Sequence, residues 1–376
     1  MPTLSRRIAN LSGSPVRAML KAAQQPGMIS FAGGLPAPDS FADIAIPAPP
    51  PEILQYGPTE GEPALRERIS EELARTGLSC PAERIMVLSG SQQGVDLAAK
   101  LCVDEGTSIG VESPAYLAAL QVFRLFGATF QPVTPGGMWE AGQAPAMAYV
   151  TPTFQNPTGR CWTHAERQGL AASCDAHDVV LFEDDPYRDL VFGPCERTPV
   201  ASFVKSAEWI YQSSFSKTVA PGLRLGFLAA SEGVFQSLAF LKQAADLHSN
   251  RLSQWIVLNY LNDPNRAQRM SALVGRYTRR RDLFAAAMAE HLGGLADWEV
   301  PQGGLFFWLT LRGGLNAATL LDACVARGVL FTPGSFFEAF GSGASSTMRL
   351  NFSHAAEASA ERGLRIIGEE VRRLLG

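Results

Sequence analysis

Lys217 is the side chain with the clearest chemical potential in this sequence. It lies in the segment Ser214-Phe-Ser-Lys217-Thr-Val-Ala-Pro-Gly-Leu-Arg224-Leu-Gly226. A lysine amine can form a Schiff base when it is neutral, and both burial and a nearby cation such as Arg224 lower its pKa. Ser214, Ser216 and Arg224 have the hydroxyl groups and the charge that bind a phosphate. The alternative is a solvated lysine in a serine-rich loop, which would be the favoured interpretation of this lysine taken alone.

A second candidate phosphate site is the segment 89–93, which precedes a predicted helix beginning near Val95. The N-terminus of a helix presents free backbone N–H groups and the positive end of the helix dipole, and both favour an anion. Gly90, Ser91 and Gln92 would lie at this position. A plain serine N-cap explains the same residues equally well.

Short apolar runs precede several of the polar segments that could do chemistry. These runs lack the alternation of a half-exposed strand, and they suit strands that are covered on both faces of a sheet. Helical patterns lie between some of them, so the sequence predicts an α/β domain with a mostly parallel sheet. Ligands bind at the carboxyl ends of such strands. The predicted strands are Ile85–Leu88, Ile109–Val111, Ala146–Val150, Val179–Phe182 and Trp209–Tyr211.

The composition of the chain changes twice along its length. Residues 1–50, rich in Pro and Gly, are interpreted as an N-terminal arm and part of a small domain. Residues 51–275 form the predicted large domain, and residues 276–376 form a small C-terminal domain of mixed helices and strands. The elements predicted outside the large domain are a short helix at Ser14–Ala23, strands at Gly303–Trp308 and Met348–Leu350, and a loop at Pro333–Gly334.

Composition excludes several other classes of protein. The formal net charge is -4 and no long block of Lys or Arg is present, so a nucleic-acid surface is not indicated. No stretch approaches the roughly 20 apolar residues of a membrane helix, and the first residues lack a signal-peptide pattern. The six cysteines and five histidines show no metal-ligand spacing. We therefore expect a cytoplasmic protein with reduced thiols, no metal and no nucleic-acid or membrane partner.

The segment around Lys217 resembles the lysine motif of the fold-type I pyridoxal-phosphate aminotransferases of class I/II. The variant at 221–226 resembles the branch that contains 2-aminoadipate and kynurenine aminotransferases, and the resemblance extends over nearly the whole chain. It implies a large cofactor-binding domain, with a mostly parallel central sheet sandwiched by helices. It also implies a smaller α+β domain formed by both termini. The implied cofactor is pyridoxal 5'-phosphate, bound to Lys217.

Two further motifs match the family at the pyridine ring. Asn156, in Asn-Pro-Thr-Gly159, matches the residue that donates to the 3-oxygen of the ring. Asp184 and Tyr187 match the family's Asp-x-x-Tyr, in which the Asp keeps the ring nitrogen protonated and the Tyr contacts the 3-oxygen. Spacing to Tyr187 selects Asp184 over the adjacent Asp185. A surface turn is the alternative for each motif taken alone.

Aromatic and phosphate positions complete the implied cofactor site. Tyr116 resembles the residue that stacks on the ring, and Gly90, Ser91 and Gln92 match phosphate-binding positions in related enzymes. Tyr56 resembles a tyrosine that reaches the phosphate of the neighbouring subunit, which implies a homodimer with shared active sites. A buried structural tyrosine is the alternative for both tyrosines.

Substrate residues are also implied by the resemblance. Arg349 matches the arginine that grips the substrate α-carboxylate with two parallel hydrogen bonds, close to Asn156. Gly34 matches a loop that substrate approaches, and Arg17 lies where the 2-aminoadipate branch has an arginine for a distal carboxylate. Relatives carry longer chain at 41–54 and 131–144, so the entrance to the site is expected to differ from theirs.

The implied reaction is transamination from an L-amino acid, such as 2-aminoadipate or glutamate, to a 2-oxo acid such as 2-oxoglutarate. Lys217 would hold the cofactor and then move the proton from the substrate Cα. A lyase or decarboxylase that uses the same cofactor is the alternative enzyme, because Asp184, Asn156 and Arg349 serve those reactions too. A ligand-sensing regulator is disfavoured, because no DNA-binding domain precedes Gly33. The physiological amino donor and acceptor cannot be chosen from the sequence.

Overall fold

The computed structural model describes residues 5–9, 22–41, 46–137, 139–140, 142–341, 343 and 345–376. The helix predicted at Ser14–Ala23 lies almost entirely outside these residues. Within them the strands are β1 (Ile29–Ser30), β2 (Ile85–Leu88), β3 (Ser108–Val111), β4 (Thr129–Pro132), β5 (Met147–Val150), β6 (Val180–Asp184), β7 (Trp209–Ser214), β8 (Gly226–Ala230), β9 (Ala296–Trp298), β10 (Phe306–Leu311), β11 (Val329–Leu330), β12 (Thr332–Pro333) and β13 (Thr347–Asn351).

Helices connect and cover these strands, and several of their ends carry recognisable caps. Thr163 and Glu166 form a capping box at the start of one helix, and Asn250 and Asn316 cap two others. The helices are α1 (Arg6–Ala9), α2 (Pro63–Arg75), α3 (Ser91–Cys102), α4 (Leu117–Leu125), α5 (His164–His177), α6 (Glu232–Asp246), α7 (Arg251–Asn262), α8 (Arg266–Leu292), α9 (Ala317–Ala326) and α10 (Glu357–Leu375).

The largest sheet has seven strands in the order β2-β8-β7-β6-β5-β3-β4. The pairs from β7 through β4 are parallel, whereas β8 is antiparallel to both β2 and β7. Strand β2 therefore points in the same direction as β7, and only β8 is reversed. This arrangement confirms the predicted α/β class and the mostly parallel sheet. It also brings the carboxyl ends of six strands to one edge.

Both faces of this sheet are buried except at the edge strand β4, which explains why several of its strands read as continuous apolar runs. Ile85 and Val87 of β2 pack into a core shared with α2, α5 and α7. Met86 and Leu88 of the same strand pack into a second core shared with α3, α4 and α6. Successive side chains of one strand thus enter different cores, and neither face of β2 is exposed to water.

Segments from both ends of the chain build a second unit. Strands β12-β13-β10-β9 form an antiparallel sheet, and β1 pairs with β11 in parallel. Their core includes Ile29 and Phe31 near the N-terminus, together with side chains of α8, α9 and α10. The predicted strand at 303–308 begins only at Phe306, and part of the predicted loop at 333–334 is strand β12. In the described part of the chain, no helix has the length and apolar character needed to span a membrane.

Candidate active site

A cavity of about 830 Å³ opens at the carboxyl edge of the large sheet. Asp184 ends β6, Ser214 ends β7 and Thr151 directly follows β5, and all three line it. Most of the residues predicted for the site lie in this cavity although they are far apart in sequence. The predicted residues that line it are Gly34, Ser91, Gln92, Tyr116, Asn156, Asp184, Tyr187, Ser214, Ser216, Lys217, Arg224 and Arg349.

Two predicted residues that the structure describes, Gly90 and Tyr56, do not line the cavity. Gly90 precedes α3 with a φ of 84°, and a Cβ atom there would lie 2.7 Å from the Arg224 guanidinium. A glycine is needed here both for this backbone conformation and for the approach of Arg224. Tyr56 is 76% exposed and lies edge-on to His248. Arg17 lies outside the described residues.

The Lys217 amine lies against a loop from the N-terminal part of the chain. Its Nζ donates to the Gly34 carbonyl oxygen over 2.8 Å. Burial first, and then the positive charges of Arg349 and Arg224, lower the pKa of Lys217 to about 8. A substantial fraction of this amine is therefore neutral near pH 8, as a nucleophile or a proton acceptor requires.

Asp184 differs sharply from its neighbour Asp185. The Tyr149 hydroxyl donates to Asp184 Oδ2 over 2.8 Å, while Asp184 Oδ1 is buried without a hydrogen-bond partner among the described residues. Burial raises the pKa of Asp184 to about 6. Asp185 Oδ1 also lacks a hydrogen-bond partner among the described residues, but Asp185 Oδ2 accepts from the Arg188 guanidinium at 2.9 Å and from the Tyr211 hydroxyl at 3.0 Å. Of the two adjacent acids, only Asp184 lines the cavity.

Arg349 is a buried cation with no carboxylate partner among the described residues. Its Nη1 donates to Asn156 Oδ1 over 2.6 Å, and its guanidinium lies over Phe306 and Phe337 at 4.2 Å and 4.8 Å from the ring centres. Burial lowers the pKa of Arg349 to about 10. Its Nε is buried and has no hydrogen-bond partner in the part of the chain that the structure describes. A carboxylate in the cavity would therefore meet a positioned and poorly solvated guanidinium.

Groups that could bind a phosphate also line the cavity. Ser91 begins α3, Ser216 N–H donates to the Ser214 hydroxyl, and Arg224 has a left-handed backbone that follows Gly222 and Leu223. Hydroxyl groups, a helix N-terminus and a guanidinium are the donors that bind phosphate. The functions of these residues stay predictions, although the structure brings the residues together.

One residue that lines the cavity, Arg362, and two that contact its lining residues, Tyr149 and Phe306, were missed by the sequence analysis. Tyr149 could have been noticed as the hydroxyl-bearing side chain inside an otherwise apolar run. Phe306 was predicted only as part of a strand; it is buried, and its ring also borders Arg349 and Tyr187. Arg362 lines the cavity from the second turn of α10, and no local motif in the sequence singles it out.

Comparison with known proteins identifies the family. The model for aminotransferase class I and II matches residues 48–367. The aromatic-amino-acid aminotransferase 1 of Thermococcus litoralis is 32% identical over 392 residues, covering 98% of this chain and 94% of the relative. The 2-aminoadipate transaminase of Thermus thermophilus is 33% identical over 388 residues, covering 97% and 95%.

A solved structure of a related enzyme superposes on nearly the whole chain. Kynurenine aminotransferase from Pyrococcus horikoshii, crystallised in complex with PMP, superposes with a TM-score of 0.89 at 30% identity and covers 99% of this chain and 98% of its own. The predicted resemblance and the fold-type I architecture are confirmed. The chain belongs to the class I and II aminotransferases.

Proposed function

We propose that this protein transfers amino groups from L-amino acids to 2-oxo acids, with Lys217 as the residue that holds pyridoxal 5'-phosphate. The observation that carries the proposal is that two chemically suited groups line the same cavity. Lys217 offers an amine with a lowered pKa, and Asp184 offers a buried carboxylate oxygen without a partner. Members of this family act as aminotransferases, and this chain is an enzyme of that type.

Pyridoxal 5'-phosphate is the cofactor, and the residues of the cavity fit it. The unpartnered Asp184 Oδ1 suits the protonated ring nitrogen, because an unsatisfied buried carboxylate is costly unless a donor meets it. Ser91, Ser214, Ser216 and Arg224 would hold the phosphate. When bound, the cofactor supplies an electron sink for the pair left at the substrate carbon.

The protein's own groups then have separate tasks. Arg349 binds the substrate α-carboxylate, and Asn156 and Phe306 hold the guanidinium in place. Lys217 would hold the cofactor, and its amine, once free and neutral, would take the proton from the substrate Cα. Asp184 would stay ionised next to the protonated ring nitrogen of the cofactor, although burial alone raises the pKa of this carboxyl.

The half-reaction tests this function. Holoenzyme mixed with an L-amino acid alone is expected to yield one equivalent of 2-oxo acid and one of pyridoxamine phosphate per subunit, measured by absorbance and product analysis. L-Glutamate and L-2-aminoadipate are the first donors to use. Release of carbon dioxide or ammonia with the pyridoxal form retained would instead identify a decarboxylase or a lyase.

We further propose a homodimer in which Tyr56 serves the neighbouring subunit's cofactor. Tyr56 is exposed outside its own cavity, and Leu54, Leu247 and Leu252 are exposed too; the last two adjoin His248 and Arg251, which contact Tyr56. Arg251 donates to the carbonyl oxygens of Gln55 and Tyr56, so these exposed side chains lie on connected segments. Several exposed apolar side chains on connected segments are what a site that binds another protein would require.

Complementation between two inactive variants tests this sharing. If Tyr56 acts on the neighbouring subunit, a mixed dimer of Lys217→Ala and Tyr56→Ala contains one intact site and one doubly altered site. Random reassortment should then restore about a quarter of the wild-type sites, because half of the dimers are mixed. If Tyr56 serves its own subunit, reassorted mixtures should show no gain over the two separate variants.

Domain division and location remain proposals. Domain boundaries near residues 50 and 275 are supported by the two sheets with separate cores, although helix α8 runs continuously across residue 275. A cytoplasmic location is supported by the six cysteines, which are all free.

A further inference from the structure

More cationic side chains line the cavity than the proposed reaction uses. Among the described lining residues the cations are Lys217, Arg224, Arg349 and Arg362, and Asp184 is the carboxylate. The phosphate accounts for Arg224, the α-carboxylate for Arg349, and Lys217 is bound to the cofactor. Arg362 is left with no assigned anion. No ion pair of Arg362 with a described residue is present, whereas Arg365 on the same helix pairs with Glu369 at 2.8 Å.

The position of Arg362 follows from the geometry of α10. Ala356, Ser359 and Arg362 are spaced by three residues, so they lie on neighbouring turns of one helix face, and all three line the cavity. Arg362 lies about 9 Å along the helix axis from Ala356, at 1.5 Å per residue. Helical side chains incline toward the N-terminus of their helix, so the guanidinium leans back toward Ala356 and the cavity.

The start of α10 is fixed relative to the Lys217 amine. The Gly34 carbonyl, which accepts from Lys217, lies in a loop that the 351–354 segment holds by hydrogen bonds. Asn351 Nδ2 donates to the Gly33 carbonyl over 2.7 Å, and the Ser353 hydroxyl donates to the Leu35 carbonyl over 2.8 Å. Arg362 is therefore placed at a fixed distance from the reacting centre by a short, well-connected segment.

Part of the cavity wall is apolar. Met28, Ile29, Leu35, Ala355 and Ala356 line it, and Ser359 and Arg362 line the same cavity. Such a wall suits a methylene chain, and the hydroxyl and guanidinium suit an anion at the end of that chain. The helix N-terminus adds a favourable field for negative charge.

We propose that Arg362, assisted by Ser359, binds the distal carboxylate of a long acidic amino-acid substrate. This inference rests on the proposed function, because it concerns the substrate of the same cavity. It assigns the recognition to the C-terminal helix, whereas the sequence analysis assigned it to Arg17. The substrate class is an L-amino acid whose side chain ends in a carboxylate after several methylene groups.

The test compares two donors of similar chain length, L-2-aminoadipate and L-norleucine, with holoenzyme variants. Arg362→Gln is expected to lower kcat/KM of the half-reaction with 2-aminoadipate by about tenfold or more, the size of a lost hydrogen bond to a charged group. The value for norleucine should stay within about twofold. Arg365→Gln is the matched control on the same helix, and both donors should be unaffected by it.

A binding measurement separates this inference from the proposed function. Titration of holoenzyme with adipate and with hexanoate, followed by cofactor absorbance, reports recognition of a second carboxylate without turnover. Arg362→Gln should weaken the binding of adipate and leave the binding of hexanoate unchanged. An equal loss for both ligands, no loss for adipate, or a loss in Arg17→Gln with none in Arg362→Gln would overturn the proposal. A wild-type protein that binds adipate more tightly than hexanoate through Arg362, yet performs no half-reaction, would instead contradict only the proposed function.

Discussion

Replacement of Lys217 by alanine is expected to lower kcat/KM for transamination by about three orders of magnitude or more. The amine is the group in the cavity positioned to hold the cofactor and to accept a proton from substrate carbon. No other lysine lines the described part of the cavity, so no nearby amine can replace it. Initial rates with 2-oxoglutarate as acceptor measure the effect. Lys205→Ala, at an exposed site, is the control and should keep wild-type activity.

The pH dependence of cofactor binding is a second measure of Lys217. The pKa of its amine is lowered to about 8 by burial and by Arg349 and Arg224. Because the neutral amine is the nucleophile, the rate at which apoenzyme binds pyridoxal 5'-phosphate covalently should rise with pH through about 8 and level off above it. A rate that continues to rise to pH 10 and beyond, or a Lys217→Ala variant within tenfold of wild-type activity, would contradict this role.

Asp184→Asn is expected to lower kcat by about two to three orders of magnitude, the range for loss of a positioned electrostatic group. An asparagine keeps the size of the side chain but cannot hold a proton on the ring nitrogen by charge. Folding stability should change little, because the variant removes a buried carboxylate that has an unpartnered oxygen. Single-turnover rates of the half-reaction and thermal unfolding separate these two effects.

Asp185→Asn is the matched comparison, one residue along the chain. Asp185 accepts from Arg188 and Tyr211, and removal of its charge leaves a buried guanidinium without its counter-ion. Breaking a buried ion pair costs about 3–5 kcal/mol, so this variant should unfold at a lower temperature. Its activity per folded molecule should stay within about tenfold of wild type. The opposite outcome, with Asp185→Asn inactive and Asp184→Asn active, would exchange the two roles.

The strands of the large sheet could be predicted because their physical environment is simple. Runs such as 85–88 are apolar at every position, as strands covered on both faces must be. Strand β8, Gly226–Ala230, was missed. It directly follows the Lys217 segment and contains small residues rather than β-branched ones, so its strand signal is weak. Its antiparallel direction follows from pairing with β2 and β7, which is a tertiary property.

Residues of the cavity could be predicted where a reactive residue type stands at a characteristic spacing from another. Spacing to Tyr187 selected Asp184, and the structure gives a physical reason for that choice, since Asp185 is engaged with Arg188 and Tyr211. Contacts between distant segments left no such signal. The Gly34 carbonyl meets Lys217 from 183 residues away, and Arg349 meets Asn156 from 193 residues away. Sequence spacing carries no information about such pairs beyond a family motif.

The most direct test of the central assignment is to locate the cofactor on the chain. Holoenzyme is treated with sodium borohydride, which reduces the C=N bond between lysine and cofactor to a stable link, and is then digested and mapped by mass spectrometry. The expected result is one phosphopyridoxyl group per subunit, on the peptide that contains Lys217, and none after pretreatment with an amino donor. A phosphopyridoxyl group on another lysine of the folded holoenzyme, or none at all, would contradict the assignment.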